Sequence, residues 1–155
     1  MPVIFPVSGY GNTLVTTTKA GVTVTAGGTA HTMGAWTTVL SSLPFDCYAL
    51  LINVFGINVA GGDSRYLVDI GVSEGAGTER VVVPYLDVGG AAASAYFGRV
   101  HLLPLYIPAG SSVVVRGQSV TASKTCTVVA HALGLPFHGF SDLVVPQTWF
   151  QYGAV

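Results

Sequence analysis

Hydrophobic and polar positions alternate with a period of two wherever the chain has a regular pattern. In residues 65–73, apolar side chains occupy every second position from Tyr66 to Val72, and the other face carries Arg65, Asp69 and Ser73, along with Leu67. This alternation predicts a strand with one face in a core and the other towards solvent. No segment has the 3.6-residue period that is typical of an amphipathic helix.

Eight further segments are rich in Val, Ile, Thr and Tyr, the residues that suit a pleated sheet. Glycine, proline, asparagine and serine separate them and predict turns. Short strands at fairly regular spacing predict an all-β fold: a single antiparallel β-sandwich, jelly-roll-like. These further strand segments are residues 13–18, 22–25, 36–40, 48–59, 79–84, 99–107, 112–118 and 125–133.

The two ends of the chain combine aromatic and apolar side chains with prolines and have little periodicity. We predict one domain over residues 1–155, in which a sandwich over 13–134 carries an N-terminal arm (1–12) and a C-terminal arm (135–155). The arms are expected to dock on a neighbouring protomer; the alternative is that they fold back and cap their own sandwich. The side chains predicted to form this interface are Phe5, Tyr10, Trp149, Phe150 and Tyr152.

Charged residues make up only 8% of the 155 residues, whereas about 25% is usual. The longest apolar run, residues 47–60, is shorter than the roughly 20 residues of a membrane-spanning helix, so no membrane partner is expected. We predict that copies of the chain cover one another's apolar surface in a homo-oligomer, expected to be a trimer. The net charge of −1 and the scattered basic residues argue against a nucleic-acid partner.

No motif of a known catalytic type is present: the chain has no G-x-S-x-G elbow, no P-loop and no dinucleotide-binding fingerprint in a strand-then-helix context. We therefore expect no enzyme activity, no catalytic residues and no cofactor. No metal site is predicted either, because the four histidines lack ligand spacing. The alternative is a zinc or nickel site formed by His101 and His131, if these two residues of predicted strands face each other across a sheet. The loops of Asp63 and Asp87 lack the repeated oxygen ligands that calcium requires.

The two cysteines, Cys47 and Cys126, both lie in apolar strand-like runs. We interpret them as buried, reduced thiols that behave as small hydrophobic residues. A disulfide between them is the alternative.

Arg116 lies inside an apolar strand segment, where a charge needs a partner. Asp69 and Asp87 are the candidate partners, and we predict a structural role for Arg116 with Asp69. A turn precedes that strand: Pro108 fixes φ and ends the strand before it, and Gly110 can adopt a positive φ.

Several motifs between Trp36 and Leu133 resemble β-sandwich modules encoded among the structural genes of tailed bacteriophages. The most distinctive is the turn Ile-Pro-Ala-Gly-Ser at 107–111, followed by the Arg-Gly-Gln strand at 116–118. The resemblance covers about two-thirds of the chain and brings no catalytic residues with it. The other motifs are Trp36-Thr37, Leu43-Pro44-Phe45, the run 66–71, Val-Val-Val-Pro at 81–84 and Leu-Pro-Leu-Tyr at 103–106.

This resemblance implies a virion component. Together with the shortage of charge, it predicts an oligomeric protein that decorates and cements the outer surface of a phage capsid, with the major capsid protein or other virion proteins as partners. The alternative is a module of a tail fibre, tail tip or head fibre that binds a host-surface glycan. Exposed aromatic side chains next to Asp or Asn would favour that alternative.

Overall fold

Nine strands form two antiparallel sheets in a computed structural model that describes residues 8–11, 21–58, 65–89 and 99–134. The described residues contain no helix that could cross a bilayer. The strands are β1 (Ser8–Gly11), β2 (Val22–Thr25), β3 (Thr37–Leu40), β4 (Cys47–Asn58), β5 (Tyr66–Ser73), β6 (Arg80–Asp87), β7 (Arg99–Leu103), β8 (Ser112–Ser119) and β9 (Thr125–Gly134).

The strands pair in nested order. β2 pairs with β9, β3 with β8, β4 with β7 and β5 with β6, all antiparallel, as in one long hairpin. The additional pairs β4–β9 and β5–β8 wrap this hairpin into two sheets. Sheet A has the order β1/β2–β9–β4–β7, and sheet B has the order β3–β8–β5–β6. This is the jelly-roll form of the β-sandwich, so the predicted fold class is confirmed.

The core lies between the two sheets, and every second residue of the central strands points into it. Leu50, Ile52 and Val54 of β4 are fully buried on the sheet A side. The strongest alternation is in β9, where buried residues occupy every second position from Cys126 to Gly134. From sheet B, the buried residues include Tyr66, Val68, Ile70, Val113 and Val115.

The strand segments predicted from residue 22 onwards correspond to β2–β9, and two boundaries differ by more than one residue. β7 ends at Leu103 rather than at 107 because Pro104 has no amide hydrogen to donate. β6 continues past Pro84 to Asp87, because a bulge accommodates the proline. The predicted strand at 13–18 lies outside the described residues.

β5 is more buried than its alternating pattern predicts. The expected half-buried strand is covered on both faces: Asp69 and Ser73 are buried as well as the core positions. Three groups cover this outer face: the Trp36 ring lies against Gly71, Arg116 and the Tyr85 amide contact Asp69, and the turn at 75–78 contacts Ser73.

Part of the predicted N-terminal arm belongs to the sandwich. Residues 8–11 form β1, which pairs antiparallel with residues 131–134 of β9 in the same chain. The backbone hydrogen bonds of a sheet edge are the physical reason for this placement. The rest of that arm and the whole C-terminal arm lie outside the described residues.

Candidate functional site

An ion pair lies on the outer face of sheet B. Asp69 on β5 is opposite Arg116 on β8, and Nε and Nη2 of Arg116 approach Oδ2 of Asp69 to 2.9 and 2.8 Å. The Asp69 side chain is 3% exposed and the Arg116 side chain 31%. Asp69 is therefore the candidate that Arg116 contacts. Asp87, the other candidate, accepts a hydrogen bond from the Gly89 amide and lies 4.0 Å from Arg99.

Trp36, which directly precedes β3, covers this ion pair. The guanidinium carbon of Arg116 lies 4.5 Å from the centre of the Trp36 ring, a cation–π contact. The ring also fills the space above Gly71, where an added Cβ would lie 2.9 Å from Cη2 of Trp36. A glycine inside a strand is a recognised indication of close approach by another group, and here that group is an indole ring.

Tyr85 completes the group from the side of β6. Its amide donates a hydrogen bond to Oδ1 of Asp69 at 2.9 Å. An extra residue opposite Asp69 makes a bulge in β6, and Tyr85 has a φ of +50°, which side-chain-bearing residues rarely adopt. Its side chain is nevertheless 56% exposed. We call Trp36, Asp69, Tyr85 and Arg116 the sheet B cluster.

The sheet B cluster combines a buried ion pair with an exposed tyrosine. Both oxygens of Asp69 accept hydrogen bonds, one from the Tyr85 amide and one from Arg116, and the side chain is only 3% exposed, so this carboxylate is held in a structural pair away from solvent. Arg116 keeps part of its surface in solvent, and an aromatic ring lies against it. Such a site can hold a ligand that combines hydroxyl groups with an apolar face.

A second feature is the side of the sandwich where the edge strands β6 and β7 lie, which we call the β6–β7 side. The end of β6 meets the start of β7 there, with Nη1 of Arg99 4.0 Å from Oδ2 of Asp87. Within the described ranges, every exposed large hydrophobic residue is on β6, on β7 or just after β7. These residues are Val81, Val82, Tyr85, Val100, Leu102 and Tyr106.

The turn at Pro108 and Gly110 closes one end of the sandwich. Gly110 has a φ of +84°, and its amide donates to the Leu43 carbonyl at 2.8 Å. The Leu43 amide donates in turn to the Ser111 carbonyl at 2.7 Å. Because Leu43 is buried, this turn fixes the loop between β3 and β4 against the core. Its role is structural.

The histidines and cysteines form no ligand set in the parts of the chain that the structure describes. His101 is opposite Ile52 of β4, whereas His131 is opposite the next residue, Leu51. Neighbouring residues of a strand point to opposite faces, so His101 and His131 do not face each other. Cys47 and Cys126 are both free and buried, and burial raises the pKa of the Cys126 thiol to about 12.

Most of the predicted arm interface lies outside the described residues. Its residues outside the described ranges are Phe5, Trp149, Phe150 and Tyr152. Asp63 of the calcium-loop prediction and the histidine His138 also lie outside them. The backbone of Tyr10 is in β1, opposite Ala132. Sequence analysis did not find the sheet B cluster as a unit, although Gly71 within a strand and Pro84 before Tyr85 are the signals that point to it.

Comparison of the chain with protein-family models, with curated proteins and with solved structures found no match.

Proposed function

We propose that this chain is a structural component of a bacteriophage virion, a homo-oligomer that decorates and cements the outer surface of the head. The observation that carries the proposal is the β6–β7 side: one edge strand of each sheet, with the residues just after β7, bears the exposed large hydrophobic side chains of the described residues. Exposed apolar side chains on an edge strand mark a surface for contact with another chain.

The composition supports the same conclusion. With charged residues at 8% of the chain, there is little ionic surface to keep an isolated subunit apart from its copies. A cement protein needs a surface with few charges because it bridges neighbouring capsid subunits by burying apolar area. The proposal gives the chain no catalytic role and no cofactor.

The fold is consistent with this role but is not sufficient evidence for it. Jelly rolls occur in viral capsid domains, and also in lectins and cupins, so the fold alone is an analogy. The resemblance of the 107–111 turn and the strand after it to phage structural modules narrows the analogy to virions.

Two measurements test the proposal. The mass of the purified chain, followed by light scattering over a hundredfold dilution, is expected to exceed that of one chain. Cryo-electron microscopy of virions of the phage that encodes it is expected to place its density on the head surface. A stable monomer contradicts the self-association, and density restricted to the tail contradicts the head location.

The sheet B cluster favours a second candidate function, the binding of a host-surface glycan. Sugars stack their apolar face on aromatic rings and accept hydrogen bonds from groups such as a guanidinium. Tyr85 is exposed although its backbone is strained, and strain of this kind is often retained at binding sites.

A glycan array tests this second candidate. Binding that is lost in a Tyr85→Ala variant and retained in Tyr106→Ala would support it, since Tyr106 is equally exposed but lies outside the cluster. Absence of binding by the unchanged chain would exclude the glycans on the array as ligands.

A further inference from the structure

β7 is an edge strand in which Arg99, at its first residue, is the only charged side chain, and it has neither a proline nor a bulge against pairing with another strand. Among the described residues its only neighbour in the sheet is β4, so alternate amide and carbonyl groups point away from the sheet. Val100 and Leu102, on its outer face, are each 61% exposed.

The neighbouring edge strand, β6, is protected in two ways. Pro84 lies within it, and its register with β5 shifts at two places. Proline and bulges are the devices by which edge strands avoid pairing. The two edges on one side of the sandwich therefore differ: among the described residues, β6 has a proline and bulges, and β7 has neither.

We propose that β7 pairs antiparallel with β7 of a second copy of this chain, around a two-fold axis at His101. This inference rests on the self-association proposed above and names its contact. In this register Val100 is opposite Leu102 of the second copy, and Leu102 is opposite Val100. Sheet A then continues from one subunit into the other.

A second copy fits this edge because the strand is complementary to itself. The pairing places aliphatic residues opposite each other on the outer face. On the inner face it places Arg99 opposite Leu103 and His101 opposite its own copy. Burial lowers the pKa of His101, so the facing imidazoles are neutral at neutral pH and like charges do not meet. The same axis reverses the direction of β6. The end that carries the Arg80–Glu74 pair then lies towards the end that carries Asp87 and Arg99 in the second copy, so each end presents both signs of charge to the other.

The strand pair is too small to hold two subunits together without the rest of the β6–β7 side. A specific interface buries about 800 Å² on each partner, more than five residues of one strand supply. The exposed side chains of Val81, Val82 and Tyr106 lie on the same side and extend the contact. The sheet therefore sets the register, and these side chains add apolar area.

Disulfide trapping tests the register. Val100→Cys and Leu102→Cys proteins are prepared separately and then mixed under mild oxidation. Opposite residues of paired antiparallel strands are 4.5–5.5 Å apart at Cα, within the range for a disulfide. The mixture is expected to form cross-linked dimers, whereas each variant alone is expected to form none.

Cys47 and Cys126 are buried in both variants, so any cross-linking through them is a background common to all samples. No cross-link in the mixture, or equal cross-linking in either variant alone, overturns the proposal.

A charge on β7 tests the contact itself. Leu102→Lys is expected to raise the dissociation constant at least about 30-fold, the size of a hot-spot loss. The matched control is Thr23→Lys, which adds the same charge at an exposed position of β2, on the opposite edge of sheet A. Its dissociation constant is expected to remain that of the unchanged chain.

The outcomes separate this inference from the proposed function. If the unchanged chain is oligomeric and Leu102→Lys is equally so, β7 is not the contact, and the proposed self-association stands. If the unchanged chain is monomeric and the Leu102→Cys variant cross-links to capsid protein through a thiol-reactive bifunctional reagent, the occupant of β7 is the capsid, and the second copy is excluded. If Leu102→Lys does not fold, the disulfide experiment still decides.

Discussion

At the scale of single residues, Arg116 is held by two different interactions. Asp69 accepts hydrogen bonds from its Nε and Nη2 atoms, and the Trp36 ring lies against the guanidinium plane. The carboxylate is the more constrained partner, since it is almost fully buried while Arg116 remains partly in solvent. Removing Arg116 would leave a buried carboxylate without its cation, and this unpaired charge would lower the stability of the fold by more than the intact ion pair raises it.

Replacing Arg116 by methionine is expected to destabilise the fold. The variant leaves the Asp69 carboxylate buried without its cation, and we expect a loss of about 2–4 kcal/mol in the free energy of unfolding, somewhat below the usual value because Arg116 is partly exposed. Urea denaturation measures it. Arg80→Met is the control, since its pair with Glu74 is exposed at 73% and 63% and should contribute less than about 1 kcal/mol. Equal losses in the two variants would contradict a structural role for Arg116.

Replacing Gly117 by alanine is expected to disturb the core. A Cβ there would clash with the buried ring of Tyr66, whose hydroxyl donates to the Val24 carbonyl at 3.1 Å. Overpacking of this kind costs about 1–3 kcal/mol. Gly75→Ala, where a Cβ meets nothing within 4 Å, is the control and should change stability by less than about 0.5 kcal/mol. A Gly117→Ala protein as stable as the Gly75→Ala protein would show that the Tyr66 ring can move aside.

At the scale of strands, the sequence pattern was sufficient to locate β2–β9, because alternation and β-branched residues are local signals. It did not reveal how far each face is covered. β5 was expected to be half-buried, but its outer face is covered in part by Trp36, which comes from a segment about 30 residues earlier in the chain. The partner of Arg116 stayed open for the same reason: the choice between Asp69 and Asp87 depends on the register of β5 with β8.

The bulge in β6 leads to a test of why Tyr85 is present. Because Tyr85 has a positive φ, Tyr85→Gly should relieve backbone strain of about 1 kcal/mol and leave the fold at least as stable. Tyr85→Ala keeps the strain and is expected to be less stable than Tyr85→Gly. Thermal unfolding compares the two. If Tyr85→Gly is the less stable variant, the ring contributes to packing more than its exposure indicates.

The pH dependence of stability should reflect His101 on β7. Burial, and then the charge of Arg99, lower the pKa of His101, while Asp87 acts in the opposite direction. As the pH falls from 7.5 to 5.5, the unfolded chain takes up a proton at this residue before the folded chain does, so stability falls, by less than about 1.4 kcal/mol per pH unit. Denaturation across this range measures it, and His101→Gln should show a smaller slope. An unchanged slope would mean that other groups cause the dependence.

At the scale of the whole molecule, the sandwich class followed from local patterns, but the nested strand order did not. Pairing of β2 with β9 joins segments about 100 residues apart, and no local feature of either strand identifies its partner. The symmetry of an oligomer cannot be derived from the sequence either. A trimer was expected, whereas a two-fold contact through β7 closes with two copies, so a trimer would require a further and different contact.

The response of self-association to salt distinguishes apolar from ionic contacts. Apolar contacts are not screened, so the oligomer is expected to persist, or to grow tighter, as sodium chloride rises to about 1 M. Sedimentation velocity at several salt concentrations measures this. Dissociation at high salt would show that ion pairs such as those at the ends of β6 provide most of the affinity.

The place of β9 in sheet A has a consequence for biosynthesis. β9 lies between β4 on one side and β1 and β2 on the other, yet it is made after all of them. Until residues 125–134 have left the ribosome, β1 and β2 lack the strand that they pair with in the finished sheet, and the buried face of β4 is incompletely covered. The sandwich therefore closes late in translation, and we expect chains that stop before β9 to leave the apolar face of β4 exposed and not to fold.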